Sequence, residues 1–340
     1  MAAGFKTATV TSADVAATLT NYPTYVDLSR LGITTLAEAQ SVRVYADSAK
    51  TTEWAREIVS ATEMHVKVPS LTSTVEIFVD WDGVRSDYAV GATYGRNAVW
   101  SGYVLVCHLQ SDATDSTGNN AAVSDNFTYV AGKIGNGVAG DGNSADRYIN
   151  FGDLNSQFTG DNAHATVLVK LNTATPADSF DTGLWHLNGA AARSHYPFSN
   201  GSVYDGSFNT TRPGFTPDAG IDRTTWHKVT VTTESGSNNW KFYQNNNVIH
   251  QQTGTASFSL GTKVYLGASA QNATTPPLHY IDGELDEFRM ANFTPNGNWV
   301  TTESNNQNDE AGFWGTWSDA GGGGGGGAAQ AARRGVIMMM

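Results

Sequence analysis

An all-β protein built as two tandem β-sandwiches is the fold this sequence predicts, and three observations predict it. Short runs of β-branched and aromatic residues recur along the chain between Gly, Asn, Asp and Pro punctuation, and long helical periods are few. Charged residues are scarce at 15%, while 36 glycines supply turns, a balance suited to sandwiches with long surface loops. At 340 residues the chain exceeds one small domain and suggests two. The expected division is a first domain over 1–100, a second over 101–317 and a glycine-rich tail over 318–340.

In the first domain Lys6–Val10 alternates as a strand, and Asn21-Tyr22-Pro23 reads as a turn feeding a strand at Tyr25–Leu28. Leu36–Gln40 is the best short helix. Ser41–Ala46 places Val42 and Val44 on one strand face, and Asp47–Lys50 turns. Trp54–Val59, Met64–Val68 and Val75–Trp81 continue the period of two, with Pro69-Ser70-Leu71 and Asp82-Gly83 as punctuation. Residues 84–103 are too apolar and aromatic for a flexible linker. They are expected to pack against both domains, although a plain ordered connector fits equally.

The second domain opens with a strand at Tyr103–His108, followed by strands at Tyr148–Phe151 and Ala165–Leu171. The latter turns Ala165, Val167, Val169 and Leu171 inward. Leu184–Leu187, Ser202–Phe208, Trp226–Val231, Trp240–Tyr243, Val248-Ile249 and Val264–Gly267 continue the series. The closing strand is Tyr280–Met290, YIDGELDEFRM. Leu285 and Phe288 are its apolar anchors, with Asp282, Glu284, Asp286 and Glu287 crowded around them. Four carboxylates so close cost folding free energy unless hydrogen bonds, a cation or water satisfies them.

Gly283, Leu285, Asp286, Glu287, Phe288 and Arg289 match in order the closing strand of laminin-G-like, concanavalin A-like jelly rolls. Trp226–Val231 resembles another strand of that family, Asp112–Asn120 the loop after its first strand, and Gly132–Gly142 its glycine-rich segment. Gly140 stands where the family has Phe, so that corner is expected to pack less tightly. The pieces Lys6–Val10, Asn21–Leu28, Val42–Ala46, Val66–Leu71 and Val75–Gly83 resemble a bacterial and phage domain family of unknown function. Members of that family commonly precede a laminin-G-like domain. Their usual YYGN-like ending is replaced by Asp80-Trp81-Asp82-Gly83.

The jelly-roll resemblance implies a structural calcium held by Asp286, Asp115 and Asp112 with carbonyls of the Asp112–Asn120 loop. A second candidate set is Asp141, Asn143 and Asp146. Hard cations take such oxygen ligands; the alternative is an Asx-turn network without metal. Trp185, Tyr196, Tyr204 and Trp240, in or near loops, are the candidate ligand-binding rings, some of which must instead be core. After the glycine run Gly321–Gly327, a short peptide bearing Arg333, Arg334, Ile337 and Met338 reads as a tethered docking segment or as a disordered end.

No catalytic residue is assigned, and the chain is not expected to be an enzyme. Glu284 and Asp286 fit the first two places of the E-x-D-x-x-E strand of laminarinase-type jelly rolls, but Arg289 takes the third and removes the proton donor. No G-x-S-x-G, H-E-x-x-H or Walker loop occurs. The eight histidines show no metal spacing, and His227 reads as a satisfied structural histidine. The lone Cys107 reads as a buried thiol. A net charge of −12 argues against nucleic acid, and no segment is long and apolar enough to span a membrane. The N-terminus lacks an apolar core of signal-peptide length, so the ordinary secretory route is not expected.

The expected function is therefore a non-catalytic structural or adhesive protein. The leading expectation is a bacteriophage virion component (tail, fibre or capsid-decorating) that presents a lectin-like jelly roll to host glycans and contacts other virion or surface proteins. Self-association is compatible with that role. An exported bacterial carbohydrate-binding or adhesion protein is the alternative, and a divergent glycoside hydrolase the remote one.

Overall fold

The computed structural model describes residues 3–142, 147–158, 161–176, 183–187, 191–234, 236–254, 263–270 and 277–320. Within them the protein is two antiparallel β-lobes, the second a jelly-roll-like β-sandwich. The first lobe contains β1 (Gly4–Thr9), β2 (Leu19–Asp27), β3 (Arg43–Tyr45), β4 (Glu53–Trp54), β5 (Arg56–Ile58), β6 (Glu63–Leu71) and β7 (Glu76–Trp81). One sheet runs β1-β7-β3-β4 and the other β2-β6-β5. The expected strand Trp54–Val59 is thus two strands, and the chain changes sheet at Ala55. Leu36–Gln40 is a helix, α1, closed by a Thr35/Glu38 capping box.

A short helix, α2 (Arg96–Val99), precedes the second lobe. That lobe's large sheet is built on β8 (Tyr103–Cys107), β9 (Thr128–Ala131), β10 (Asn136–Asp141), β11 (Ala163–Leu171), β12 (His227–Thr233), β13 (Gly236–Gln244), β14 (Asn247–Gly254) and β15 (Asp282–Ala291). Its order is β9-β10-β15-β11-β12-β13-β14, with β8 extending beside β15 along the edge that β10 also uses. The facing sheet includes Trp185–His186, Val264–Leu266 and Ile149–Gly152. Between the two lie Val167, Val169, Leu171, Trp185, Val229, Val231, Trp240, Phe242, Leu285, Phe288 and Met290.

Strand β15 holds the centre of this lobe. Leu285 and Phe288 are both fully buried in one core, yet residues three apart on a regular strand face opposite ways. A bulge resolves the parity. The β11 ladder skips between Thr166↔Arg289 and Leu168↔Asp286, and Glu287 adopts φ 53°, a left-handed conformation uncommon for a side-chain-bearing residue. The outer face of β15 thereby presents Glu287 and Arg289 toward the first lobe.

After β15 the chain does not end in the jelly roll. Helix α3 (Gly297–Asn308) lies between the lobes, and α4 (Glu310–Trp314) follows it back to the first. There Phe313, Trp314 and Trp317 join the first lobe's core, and Ser318–Asp319 adds a strand beside β1. The last folded residues of the expected second domain are therefore part of the first lobe's packing. The expected looseness at Gly140 is absent: a Cβ there would meet the Ile281 carbonyl oxygen at 2.3 Å, so the backbones abut. The expected docking residues Arg333, Arg334, Ile337 and Met338 lie outside the described residues, as do Asn143 and Asp146.

Candidate functional site

The interface between the lobes is built of buried charge. Glu63 and His65, two apart on β6, share a strand face, and Glu57 lies opposite His65 on β5. His108, just past β8, and the bulged Glu287 approach from the jelly roll. All five are buried. His65 Nε2 is 3.0 Å from Glu63 Oε1 and 3.7 Å from Glu287 Oε2. His108 Nδ1 is 2.6 Å from Glu287 Oε1 and 3.3 Å from Glu63 Oε1. The two imidazoles stack at 4.5 Å.

A second ring of contacts holds these groups. His108 Nε2 lies 3.1 Å from Glu57 Oε2, and Glu57 also accepts from Ser116 Oγ at 2.6 Å and from Trp100 Nε1. Gln110 donates to Glu63, and Arg289 to Glu287. Arg289 reaches Glu303 of α3 at 3.0 Å, and Lys228 reaches the same carboxylate at 2.5 Å. The junction residue Trp100 is fully buried and stacks under Arg289 at 4.8 Å, so the junction does pack against both lobes.

Electrostatics divide the cluster. Burial and the neighbouring Glu287 hold the Glu63 carboxyl well above the usual carboxylate range. Burial pushes Glu287 up as well, but His108, Arg289 and His65 outweigh it and hold that carboxyl low. Burial pulls both imidazoles down; His65 stays low, whereas Glu287 and Glu57 lift His108 well above its ordinary value. A cleft of about 310 Å³, lined in part by Glu57, His108, Gln110, Asp112 and Ser116, opens onto the cluster from the surface.

A second pocket, about 360 Å³, lies in the jelly roll and is lined by Arg193, His195, Phe198, Tyr204, Arg212 and His279. Phe198 and Tyr204 meet edge to face at 5.7 Å, and the Arg212 guanidinium lies 5.6 Å from the Tyr204 ring centre. Burial first, and then the like charge of Arg193, hold Arg212 below its ordinary value. Burial, His279 and the two arginines bring His195 down to about 3.

The sequence-derived candidates fall in different places. Asp115 is buried and spends its oxygens on Val106 N, Thr117 N, Thr117 Oγ1, Asn120 N and Asn120 Nδ2 at 2.6–3.3 Å. This is an Asx-type network of donors. Asp286 accepts from Ile134 N at 2.7 Å, and the exposed Asp112 from Thr114 N at 2.9 Å. These three do not converge as a ligand set. Among the described residues the donor atoms that converge are those of Glu63, His65, His108 and Glu287. Of the candidate rings, Trp185, Tyr196 and Trp240 are core side chains with 0–1% exposure and offer no surface platform, because their indole or phenol bodies fill the space between the sheets. Tyr204 does line a pocket. His227 is a satisfied core histidine, 2.7 Å from Tyr196 Oη and 2.8 Å from Thr225 O, and Cys107 is a buried free thiol.

The histidine pair was hidden in sequence. Met64–Val68 reads as an ordinary strand, and the period of two says nothing about what covers its polar face. His65 and His108 sit on different lobes, so no spacing rule brings them together. The signal available was the crowding of Asp282, Glu284, Asp286 and Glu287 on the closing strand.

Fold and sites together define an all-β, two-lobed protein whose second lobe is an antiparallel β-sandwich. Domain 4 of AbnA, an extracellular arabinanase of Geobacillus stearothermophilus solved with arabinotriose, is similar over 59% of this chain and 98% of its own, at 16% identity and TM-score 0.40. Trypanosoma rangeli sialidase is similar over 71% of this chain at 10% identity and TM-score 0.45, and the type G botulinum neurotoxin receptor-binding domain over 61% at 12% and 0.43. The match takes in 42% of that sialidase structure and 51% of that toxin domain. No family model and no curated protein matches the sequence. Among the described residues no helix is long and apolar enough to cross a membrane.

Proposed function

We propose that this chain is a non-catalytic binding protein whose jelly roll takes acidic glycans in the Arg193–Arg212 pocket. The observation that carries this reading is that the described residues lining the pocket are two arginines, two histidines and two aromatic residues, with no acidic side chain among those described, on a chain of net charge −12. Guanidinium forks suit carboxylate or sulfate groups, and an apolar ring face beside polar groups suits a sugar ring. A glycan array probed with the full chain is expected to show hits among uronic, sialic or sulfated sugars, and Arg193→Ala and Arg212→Ala to lose them. Neutral sugars alone, or binding untouched by either substitution, overturns the reading. The non-catalytic part is supported by Glu284, which is paired with Lys170 at 2.8 Å, and by Asp286, which is buried beneath the Ile134 amide.

The same reading makes the chain a virion surface component, laminin-G-like in its second lobe and joined to its particle through the first. Its support is the paired domain order and the glycine-tethered tail. Mass spectrometry of purified phage particles is expected to find it. Its presence only in host envelope fractions would move the assignment to an exported bacterial adhesin.

A further inference from the structure

We infer that Glu63, His65, His108 and Glu287 form an inter-lobe site for one divalent transition-metal ion of the zinc class. Their ligand atoms, one from each side chain, all lie within 4.8 Å of one another. Two imidazole nitrogens and two carboxylate oxygens are a donor set that zinc-class ions accept. Tetrahedral coordination at about 2.0–2.1 Å places ligand atoms roughly 3.3 Å apart. Three separations among Glu63 Oε1, His65 Nε2, His108 Nδ1 and Glu287 Oε1 are 2.6, 3.0 and 3.3 Å, at that value and just below it.

Three further observations support the site. The first is its outer shell. His108 would ligate through Nδ1, while its Nε2 meets the Glu57 carboxylate at 3.1 Å, and Glu57 is itself fixed by Ser116 and Trp100. A carboxylate behind a ligating histidine orients the ring and raises its basicity. Gln110 and Arg289 hold the remaining oxygens of Glu63 and Glu287.

Charge is the second. Glu57, Glu63, Asp286, Glu287 and Glu303 are all buried, beside the buried Arg289, Lys228 and His108. Burial and the neighbouring Glu287 hold a proton on Glu63 in the absence of an ion, and a dication between Glu63 and Glu287 would take over that proton's part in offsetting the crowded carboxyl groups. The third is the backbone. Glu287 sits at φ 53° in a bulge, a conformation that persists where its surroundings over-determine it, and here it aims the carboxylate at both histidines. The cleft lined by His108 and Glu57 gives an ion its way in.

The test is metal content and stability of the full chain, stripped with a chelator and then given Zn²⁺, Co²⁺ or Ca²⁺ separately. Wild type should take up about one equivalent of Zn²⁺ and raise its melting temperature by roughly 4 °C or more on loading. Co²⁺ should give the intense visible absorption of a four-coordinate site. His108→Gln and Glu63→Gln should each lose stoichiometric binding and the thermal shift; Glu63→Gln keeps a hydrogen-bonding side chain of the same shape, so it reports on ligation rather than folding. Failure of wild type to retain Zn²⁺ or Co²⁺, stabilisation by Ca²⁺ alone, or undiminished binding in a folded Glu63→Gln protein overturns the site. If His108→Gln does not fold, the wild-type stoichiometry and cobalt spectrum decide by themselves.

Discussion

A histidine buried without charge becomes a liability in acid, and His227 is such a residue. It lies between the Tyr196 hydroxyl and the Thr225 carbonyl. Burial, opposed only in part by that carbonyl, brings it down to about 4; Arg223 and Asp222 are its charged neighbours. Its folded value is below the unfolded one of about 6.5, so the unfolded chain binds more protons between the two. The stability held by neutral His227 is complete above pH 6.5 and is lost as pH falls toward 4. The difference in urea midpoint between wild type and His227→Gln should therefore shrink across that window, and a constant difference would show that the residue does not titrate there. Trp185 makes a related case. Its Nε1 donates to the buried Asp205 at 2.8 Å, so Trp185→Phe strands an acceptor and should cost about 1–3 kcal/mol in chemical denaturation. A loss under about 0.5 kcal/mol would mean that the carboxyl finds another donor.

At the scale of elements, strands and the helix α1 were legible because period and capping are local. Leu36–Gln40 was readable as a short helix, to which the structure adds the Thr35/Glu38 box, and Ala165–Leu171 showed its inward alternation. What was not local was not legible. Asn21-Tyr22-Pro23 reads as a turn and Pro69 as a stop, yet both lie within paired strands. The ladder runs Thr20↔Ser70 and Tyr22↔Val68, stepping over the left-handed Asn21 (φ 52°) and the proline. β5 pairs only Met64–Val66 of β6, so Pro69 sits where that edge is open. The return of the C-terminal segment was equally hidden, because Phe313-Trp314 carries no mark of which core it joins. Trp314 is fully buried in the first lobe, with Nε1 donating to Tyr25 O at 2.9 Å. Trp314→Ala should cost about 3–5 kcal/mol, read as a lower denaturation midpoint. An unchanged midpoint would mean that the segment docks without contributing to stability.

For the whole molecule, the question is what holds the two lobes together. Apolar contact between them is modest: Val99, Trp100, Tyr103, Val106 and Ala291 form a small buried cluster with Ala55 and Phe293. Beside the charged layer of Glu57, Glu63, His65, His108 and Glu287, α3 serves both sides. Asn306 exchanges hydrogen bonds with the Tyr25 backbone at 2.6 and 3.0 Å, while Glu303 receives Lys228 and Arg289 from the jelly roll. Buried ion pairs add little net stability over an apolar contact, but breaking one leaves a charge in a dry place. Burial, opposed by Glu303, already brings Lys228 down to about 8. Removing Glu303 leaves the buried Lys228 against the neutral Gln307 oxygen and Arg289 with Glu287 alone of its two carboxylates, at about 3–5 kcal/mol. The cheapest relief is to open the interface and hydrate them. Wild type should therefore unfold in one calorimetric transition, and Glu303→Ala in two, with the lobes melting separately. Glu303→Gln, which keeps the shape and an acceptor oxygen, should fall between. A single unshifted transition in Glu303→Ala would show that the apolar cluster and the returning chain alone hold the lobes, and that the charged layer sets their orientation without contributing to their cohesion.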